Sequence, residues 1–260
     1  MWIAVIPAMN EENSITQVIK NVVNSRVDAI VLVANGCKDA TCERAALASG
    51  NSKLHILHFP KPLGLDIPRA IGAAWAKKLC PSGLLFVDGD MKGELIRELQ
   101  ELIAGVQQGT DMALTNCYPH IYHRSELSRA VLQERETLNR ILGLFDQIGP
   151  ATPSHGPHAI SARLLQTIPV QALAIPPLSL AWAATHHFNI GVSTAVTHHL
   201  LGSASRNDQH AVYIAQTITE DCLKASLYLQ GKPLEKCLAD KQHSKKHLPS
   251  RRFDILEQFV

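Results

Sequence analysis

Residues 84–93, Leu-Leu-Phe-Val-Asp-Gly-Asp-Met-Lys-Gly, run from an apolar stretch straight into two carboxylates. Four consecutive large apolar residues have the look of a strand buried on both faces. Asp88 and Asp90 follow at its tip, two residues apart, and residues i and i+2 of a strand share a face. Two carboxylates side by side repel, so a divalent cation or a ribose-hydroxyl network is their natural partner. Mg²⁺ or Mn²⁺ held there keeps open positions for diphosphate oxygens. The competing reading is a pair of loop acids that cap the next helix, and Asp-x-Asp alone does not separate the two.

The same strand-then-polar pattern recurs on either side. Residues 2–7 (WIAVIP) form a short buried strand. Asn13 or Ser14 then offers an N-cap, and Ile15, Val18, Ile19, Val22 and Val23 keep helical spacing. A second strand over 29–34 ends in Asn35-Gly36, and a helix follows over 41–49. The third strand spans 54–59, and a helix over 67–79 carries Pro68 in its first turn. After the Asp-x-Asp strand come a helix over 94–107 and a fifth strand over 112–115. Such alternation predicts an α/β fold: a Rossmann-like, mainly parallel sheet flanked by helices. Ligands of these sheets bind beyond the carboxyl ends of the strands. Three of those ends are polar here, at 7–12, 35–39 and 88–90, and they converge on one edge.

The second half is less regular. A long helix is expected over 125–145, rich in Arg and Glu, then a turn-rich loop over 149–157 (GPATPSHGP). Short helices are expected over 159–167 and 176–186. A strand over 188–196 precedes His198 and His199, and a helix spans about 210–229. Residues 241–252 are basic and read as a solvated tail.

Hydrophobic residues make up 46% of the 260 and charged residues 18%, enough for a core and against global disorder. The formal net charge of +2 comes with no basic face before residue 241, so no nucleic-acid partner is expected. The first residues carry neither a basic leader nor a cleavage site. No uninterrupted apolar run reaches the roughly 18–20 residues a membrane helix needs, and the nearest, 170–201, is broken by Pro176, Pro177 and histidines. A soluble, cytoplasmic protein is the expectation. Cysteines 37, 42, 80, 117, 222 and 237 lack paired zinc spacing and read as reduced structural thiols. Neither a Gly-x-Ser-x-Gly elbow nor a P-loop is present.

Four segments together are specific. IPAMNEE after the first strand, VLVANGCKDAT over the second, Gly-Leu-Asp-x-x-Arg at 64–69 and LLFVDGD over the fourth resemble the successive nucleotide-sugar motifs of family 2 glycosyltransferases of GT-A fold. The resemblance is strong over about 1–115. Beyond that it is to the retaining branch that includes glucosyl-3-phosphoglycerate synthase and mannosylglycerate synthase, which carries a Ser-Gly loop before a helix and a His after a late strand. Pro153-Ser154-His155-Gly156 and the pair His198–His199 stand at those places.

The resemblance implies a nucleotide-sugar-binding part over 1–115, a smaller acceptor-side part of the same domain over 116–240, and a basic tail over 241–260. It implies that Pro7, Ala8, Met9, Asn10 and Glu11 hold base and ribose, that Asn35 beside Gly36 faces the base, and that Asp88, next to Gly89, contacts ribose. Asp90, the catalytic residue, would ligate Mn²⁺ or Mg²⁺, with His199 or His198 completing the metal site. The implied partners are a UDP- or GDP-linked sugar and a small polar or phosphorylated acceptor, met by His155, Gly156, Arg206 and Asn207. A homodimer is left open. Arg206 and Asn207 suit a phosphate clamp or, slightly better, a cap for the next helix, and Arg124, Arg129 and Arg135 suit an acceptor-side basic set or, more commonly, a solvated helix face laced with Glu126, Glu134 and Glu136.

The chain also departs from the family. Leu65-Asp66 stands where a basic residue is usual, which leaves the phosphate contact to Arg69 or another group. The stretch 176–184 (PPLSLAWAA) lacks the acid that relatives carry on the acceptor side. An inverting transferase needs a carboxylate base for the acceptor, so its lack favours a retaining mechanism. It equally fits altered acceptor choice or a catalytically inactive, nucleotide-binding or scaffold relative. A nucleotidyltransferase is disfavoured, because its Gly-rich basic first loop is replaced by Met9-Asn10-Glu11-Glu12.

Overall fold

The computed structural model describes residues 1–119, 126–203, 208–239 and 250–260. Arg124, Arg206 and Asn207 lie outside the described residues. The chain runs β1 (Trp2–Ala8), α1 (Ile15–Asn24), β2 (Ala29–Asn35), α2 (Thr41–Ser49), β3 (Lys53–Phe59), α3 (Ile67–Lys77), β4 (Gly83–Phe86), α4 (Ile96–Gln107) and β5 (Met112–Asn116). It continues through α5 (Glu126–Ile141), α6 (Phe145–Ile148), β6 (His158–Ser161), α7 (Ala162–Thr167), α8 (Pro176–Thr185), β7 (Ile190–Ala195), α9 (Asp208–Leu229), α10 (Leu234–Ala239) and α11 (Phe253–Leu256). Two 3₁₀ turns, Val170–Ala174 and His198–Leu201, complete it.

The strands form one seven-stranded sheet, ordered β3-β2-β1-β4-β6-β5-β7. All pairs are parallel except those of β6, which is antiparallel to β4 and to β5. β1 shows why its residues make a central strand. Ile3 and Val5 enter the core under α3, while Ala4 and Ile6 enter the opposite core under α1 and α4. No polar side chain along it must face water on either side. α3 lies close on the sheet because of Gly72, where an added Cβ would stand 2.3 Å from a Val5 methyl.

β6 corrects the expectation of a helix over 159–167. Its register, Leu84↔Ile160 and Leu85↔Ala159 on one side and Met112↔Ile160 on the other, fills the gap between β4 and β5. A four-residue segment, His-Ala-Ile-Ser, carries no periodicity of its own, so its tertiary partners decide its state. Only 162–167 is helical, capped by Ser161, whose hydroxyl accepts from the Leu164 N–H at 3.1 Å. The long helix expected to reach 145 stops at Ile141, and Phe145–Ile148 turns separately after Gly143 in the left-handed region, φ +70.

Asp111 staples this half of the sheet. Its buried carboxylate accepts from the Ser161 hydroxyl at 2.7 Å, the Asn189 N–H at 2.9 Å and the Arg163 guanidinium. Burial alone would raise its carboxyl, but the Arg163, Asn189 and Ser161 hydrogen bonds outweigh it and hold it below the usual range. A carboxyl depressed on folding stabilises the native state above its unfolded value of about 3.9, and that stability is lost as pH falls through the lower folded value. Asp111→Asn is therefore expected to cost about 2 kcal/mol at pH 7. Urea melts as a function of pH should also give a flatter acid limb than wild type below about pH 4.

Of the expected solvated tail, 241–252, residues 241–249 lie outside the described residues, and Arg251 departs from the expectation at 5% side-chain exposure; Leu256, beyond it, is fully buried. Among the described residues no helix is long and apolar enough to cross a membrane.

Candidate active site

β1, β2 and β4 run the same way, and their polar sequels meet at one edge. Antiparallel β6 begins where they end, so His158 and the 153–157 loop before it reach the same edge. The tip of β4 is bonded to β1. Val87 N–H donates to the Val5 carbonyl at 3.2 Å, and Gly89 N–H to the Pro7 carbonyl at 3.0 Å. No side chain fits at 89, where a Cβ would come within 2.8 Å of Ala8 Cβ and 3.0 Å of the Pro7 oxygen. Glycine there lets the Asp88-Gly89-Asp90 backbone lie flat against the end of β1.

The loops after β1 and β2 bond to each other. Lys38 N–H donates to the Asn10 side chain at 2.8 Å, with Asn10 left-handed at φ 58. Glu12 N–H donates to Asp39 at 3.0 Å, and Glu11 N–H to the Thr41 hydroxyl at 2.7 Å. The half-buried Glu11 carboxylate accepts from Ser14 at 3.0 Å. Glu11 and Asp90 line one cleft of about 320 Å³ with Met9, Asn10, Asn13, Ser14 and Lys92. Asp88 and Asn35 lie outside its lining. Lys92 did not stand out in the sequence, although it follows the acid pair within two residues, and Asn13 stood out only as an N-cap.

Asn35 is buried, and its Oδ1 accepts from the Leu63 N–H at 2.6 Å. Gly36 takes φ +71 and its N–H donates to the Phe59 carbonyl at 2.8 Å. Arg69 is one of the expected nucleotide-sugar contacts. It is buried behind Asp88, with Nη2 donating to Asp88 Oδ1 at 2.7 Å and Nη1 to Asp66 Oδ1 at 2.6 Å. Burial would lower its affinity for the proton, but Asp88 and Asp66 hold it above the ordinary arginine value. In this geometry Arg69 holds two acids, Asp66 and Asp88.

The turn His198–Leu201 seats on the β4 loop. Gly93 N–H donates to the Leu201 carbonyl at 2.9 Å, and a Cβ at 93 would strike the Leu200 oxygen at 1.9 Å. Asn21 holds the Gly93 carbonyl at 2.6 Å. His198 and His199 are exposed on this turn, within reach of the same edge.

His155 links the turn to α5. Its Nδ1 lies 3.1 Å from Arg135 Nη1, and its Nε2 lies 2.8 Å from His198 Nδ1. A guanidinium can only donate, so His155 Nδ1 is an acceptor. Burial, then Arg135 and His198, hold His155 well below the ordinary histidine value. The neutral ring therefore carries its proton on Nε2, which faces His198 Nδ1. Arg135, expected on a solvated face, is 2% exposed, and its Nη1 also donates to the Tyr118 hydroxyl at 3.4 Å. Among the described residues no carboxylate pairs with it. Gly156, at φ +79, packs against Cys117 and Thr115.

Among the described residues no three His, Cys, Asp or Glu side chains form a cluster that would hold a metal by themselves. A cation that serves a diphosphate needs no such cage, since it takes one or two protein groups and completes its shell with phosphate and water. Half-buried Asp90 with the imidazole of the adjacent turn is that kind of donor set, and the imidazole favours Mn²⁺ over Mg²⁺. The residues present fit a cation that binds together with a nucleotide.

Many solved structures are similar in fold, among them three of glucosyl-3-phosphoglycerate synthase from Mycobacterium tuberculosis. The complex with Mn²⁺, UDP and phosphoglyceric acid has a TM-score of 0.61 and 19% identity, over 86% of this chain and 78% of that one. The complex with Mg²⁺ and UDP has a TM-score of 0.63 and 18% identity, over 90% and 80%. The complex with Mn²⁺, UDP-glucose and phosphoglyceric acid has a TM-score of 0.62 and 18% identity, over 90% and 80%. No curated protein matches the sequence. The family model described as "Glycosyl transferase family 2" matches residues 3–166, a span that holds β1 through α7 and both carboxylates of the β4 tip. The chain therefore belongs to glycosyl transferase family 2 and is a nucleotide-sugar glycosyltransferase.

Proposed function

We propose that this enzyme moves a sugar from a UDP- or GDP-linked donor to a small polar or phosphorylated acceptor, with a divalent cation and with retention at the anomeric carbon. The observation that carries the reading is the β4 tip. There Asp88 and Asp90 sit on a glycine-flattened loop tied to β1 and roofed by the His198–Leu201 turn. Glu11 and Asp88 would hold base and ribose, Asp90 and His199 the cation, and Pro7 to Asn10 the floor of the donor cleft. When bound, the cation neutralises charge on the departing diphosphate. Solved neighbours in complex with UDP, Mn²⁺ or Mg²⁺ and phosphoglyceric acid support the reading.

The lack of an acid in α8 supports retention. α8, Pro176–Thr185, contains no acid, and its residues through Ala183 are buried. With no carboxylate there to take the acceptor proton, a diphosphate oxygen takes it. The new bond from acceptor oxygen to anomeric carbon then forms on the face from which the diphosphate leaves. Arg135, a buried cation without an acid partner among the described residues, is suited to an acceptor carboxylate or phosphate beside His155 and Gly156. One assay tests this reading against that of an inactive, nucleotide-binding relative. UDP-glucose and GDP-mannose are incubated with Mn²⁺ and glycerate or 3-phosphoglycerate, and the products are read by proton NMR. An α-linked product from an α-linked donor is expected. A β-linked product overturns retention, and no turnover of any donor with bound nucleotide intact supports the inactive relative.

A further inference from the structure

Residues 250–252 close on the loop that precedes α3. Gly64, at φ +87, lies so near that a Cβ would stand 2.7 Å from the Ser250 oxygen. Arg252 N–H donates to the Leu63 carbonyl at 2.8 Å, and Arg251 Nε to the Leu65 carbonyl at 3.0 Å. Between these contacts the Arg251 guanidinium spans two carboxylates. Nη1 and Nη2 meet Asp221 of α9 at 2.6 and 2.7 Å, and Nη2 also reaches Asp66 at 3.4 Å. Asp66 in turn shares Arg69 with Asp88. Five charges therefore alternate from α9 to the tip of β4, in the order Asp221, Arg251, Asp66, Arg69, Asp88.

The charge count in this chain is uneven, with three carboxylates to two guanidiniums. Arg69 faces two acids that compete for it. Asp66 is the better placed, side-chain exposure being 12% against 32% for Asp88, so the lower dielectric strengthens its attraction. Arg251 draws on Asp66 from the opposite side and reduces that competition. Asp66 occupies the place where the family usually has a basic residue, and the cation that balances it comes instead from the far end of the sequence.

We propose that Arg251 is a positioning residue of the donor site: by engaging Asp66 it leaves Arg69 free to hold Asp88 in place. The proposal rests on the reading of Asp88 as a donor contact. Lysine is a compact point charge that cannot fork between two carboxylates, so Arg251→Lys stays with Asp221, its nearer partner, and abandons Asp66. Asp66 then takes Arg69, and Asp88 loses its anchor. Removing the competing charge as well, in Asp66→Asn with Arg251→Lys, returns Arg69 to Asp88.

The test is calorimetric titration of UDP and GDP with Mn²⁺ at a temperature well below each variant's melting point. Arg251→Lys is expected to weaken nucleotide binding about tenfold, equivalent to about 1.4 kcal/mol. The double variant is expected to bind within about threefold of wild type. Asp66→Asn alone is expected to bind as wild type does, and it carries the test if Arg251→Lys does not fold. A purely structural Arg251 would lower melting points without moving affinity, and the second substitution would add to the damage. Unchanged affinity in Arg251→Lys, a double variant no better than the single one, or an Asp66→Asn weaker than Arg251→Lys overturns the proposal while leaving the donor site standing. A wild-type protein that binds neither nucleotide overturns the donor reading and this proposal with it.

Discussion

Asp90→Asn is expected to lower sugar transfer about a thousandfold at saturating Mn²⁺, equivalent to about 4 kcal/mol of transition-state stabilisation. Asp90 is half-buried on a loop whose backbone is fixed by β1 and by the His198–Leu201 turn. Its carboxylate lines the donor cleft beside Glu11 and Lys92. The amide has the same shape without the charge, so the loop keeps its conformation while the hard-cation ligand is lost. The melting point should therefore hold within a few degrees. Initial rates over a range of Mn²⁺ concentrations check the claim. A variant that keeps wild-type turnover and the same Mn²⁺ dependence would remove Asp90 from the mechanism.

Arg69→Met is expected to be the most damaging single substitution to the fold at neutral pH, at about 3–5 kcal/mol. It strips the cation from between Asp66 and Asp88 and leaves a buried carboxylate at 66 with only Arg251 to oppose it. Burial already raises Asp66 above the ordinary carboxyl value, with Arg69 and then Arg251 pulling it back. Without Arg69 it rises further. A carboxyl raised on folding binds its proton more tightly in the native state, so stability increases as pH falls through the folded value. The deficit of Arg69→Met should accordingly be smaller in urea melts at about pH 5 than at about pH 8. An equal deficit at both would mean that Asp66 is not its source.

The donor half of the molecule was legible because its signals are local. The apolar runs of β1, β2 and β4 are buried on both faces, and each ends where a polar cluster begins. The strand-then-helix rhythm alone brings those ends to one edge. What the sequence hid depends on partners far away along the chain. β6 is four residues long and is a strand only because β4 and β5 leave a gap for it. Arg135 looked like one charge among many on a surface helix, yet it is buried against His155. Arg251 sat in a basic stretch that suggested solvent, and its two acids lie 30 and 185 positions earlier. Asp66 looked like a lost phosphate contact for the same reason, since its cation is supplied from the C-terminal segment.

Titration of the wild-type protein with UDP and with GDP, each with and without Mn²⁺, tests the central claim most directly. One of the two nucleotides should bind, and Mn²⁺ should tighten it by at least about tenfold, or about 1.4 kcal/mol. Binding of neither nucleotide at millimolar concentration, or binding indifferent to Mn²⁺, would contradict a metal–nucleotide site at Asp88 and Asp90.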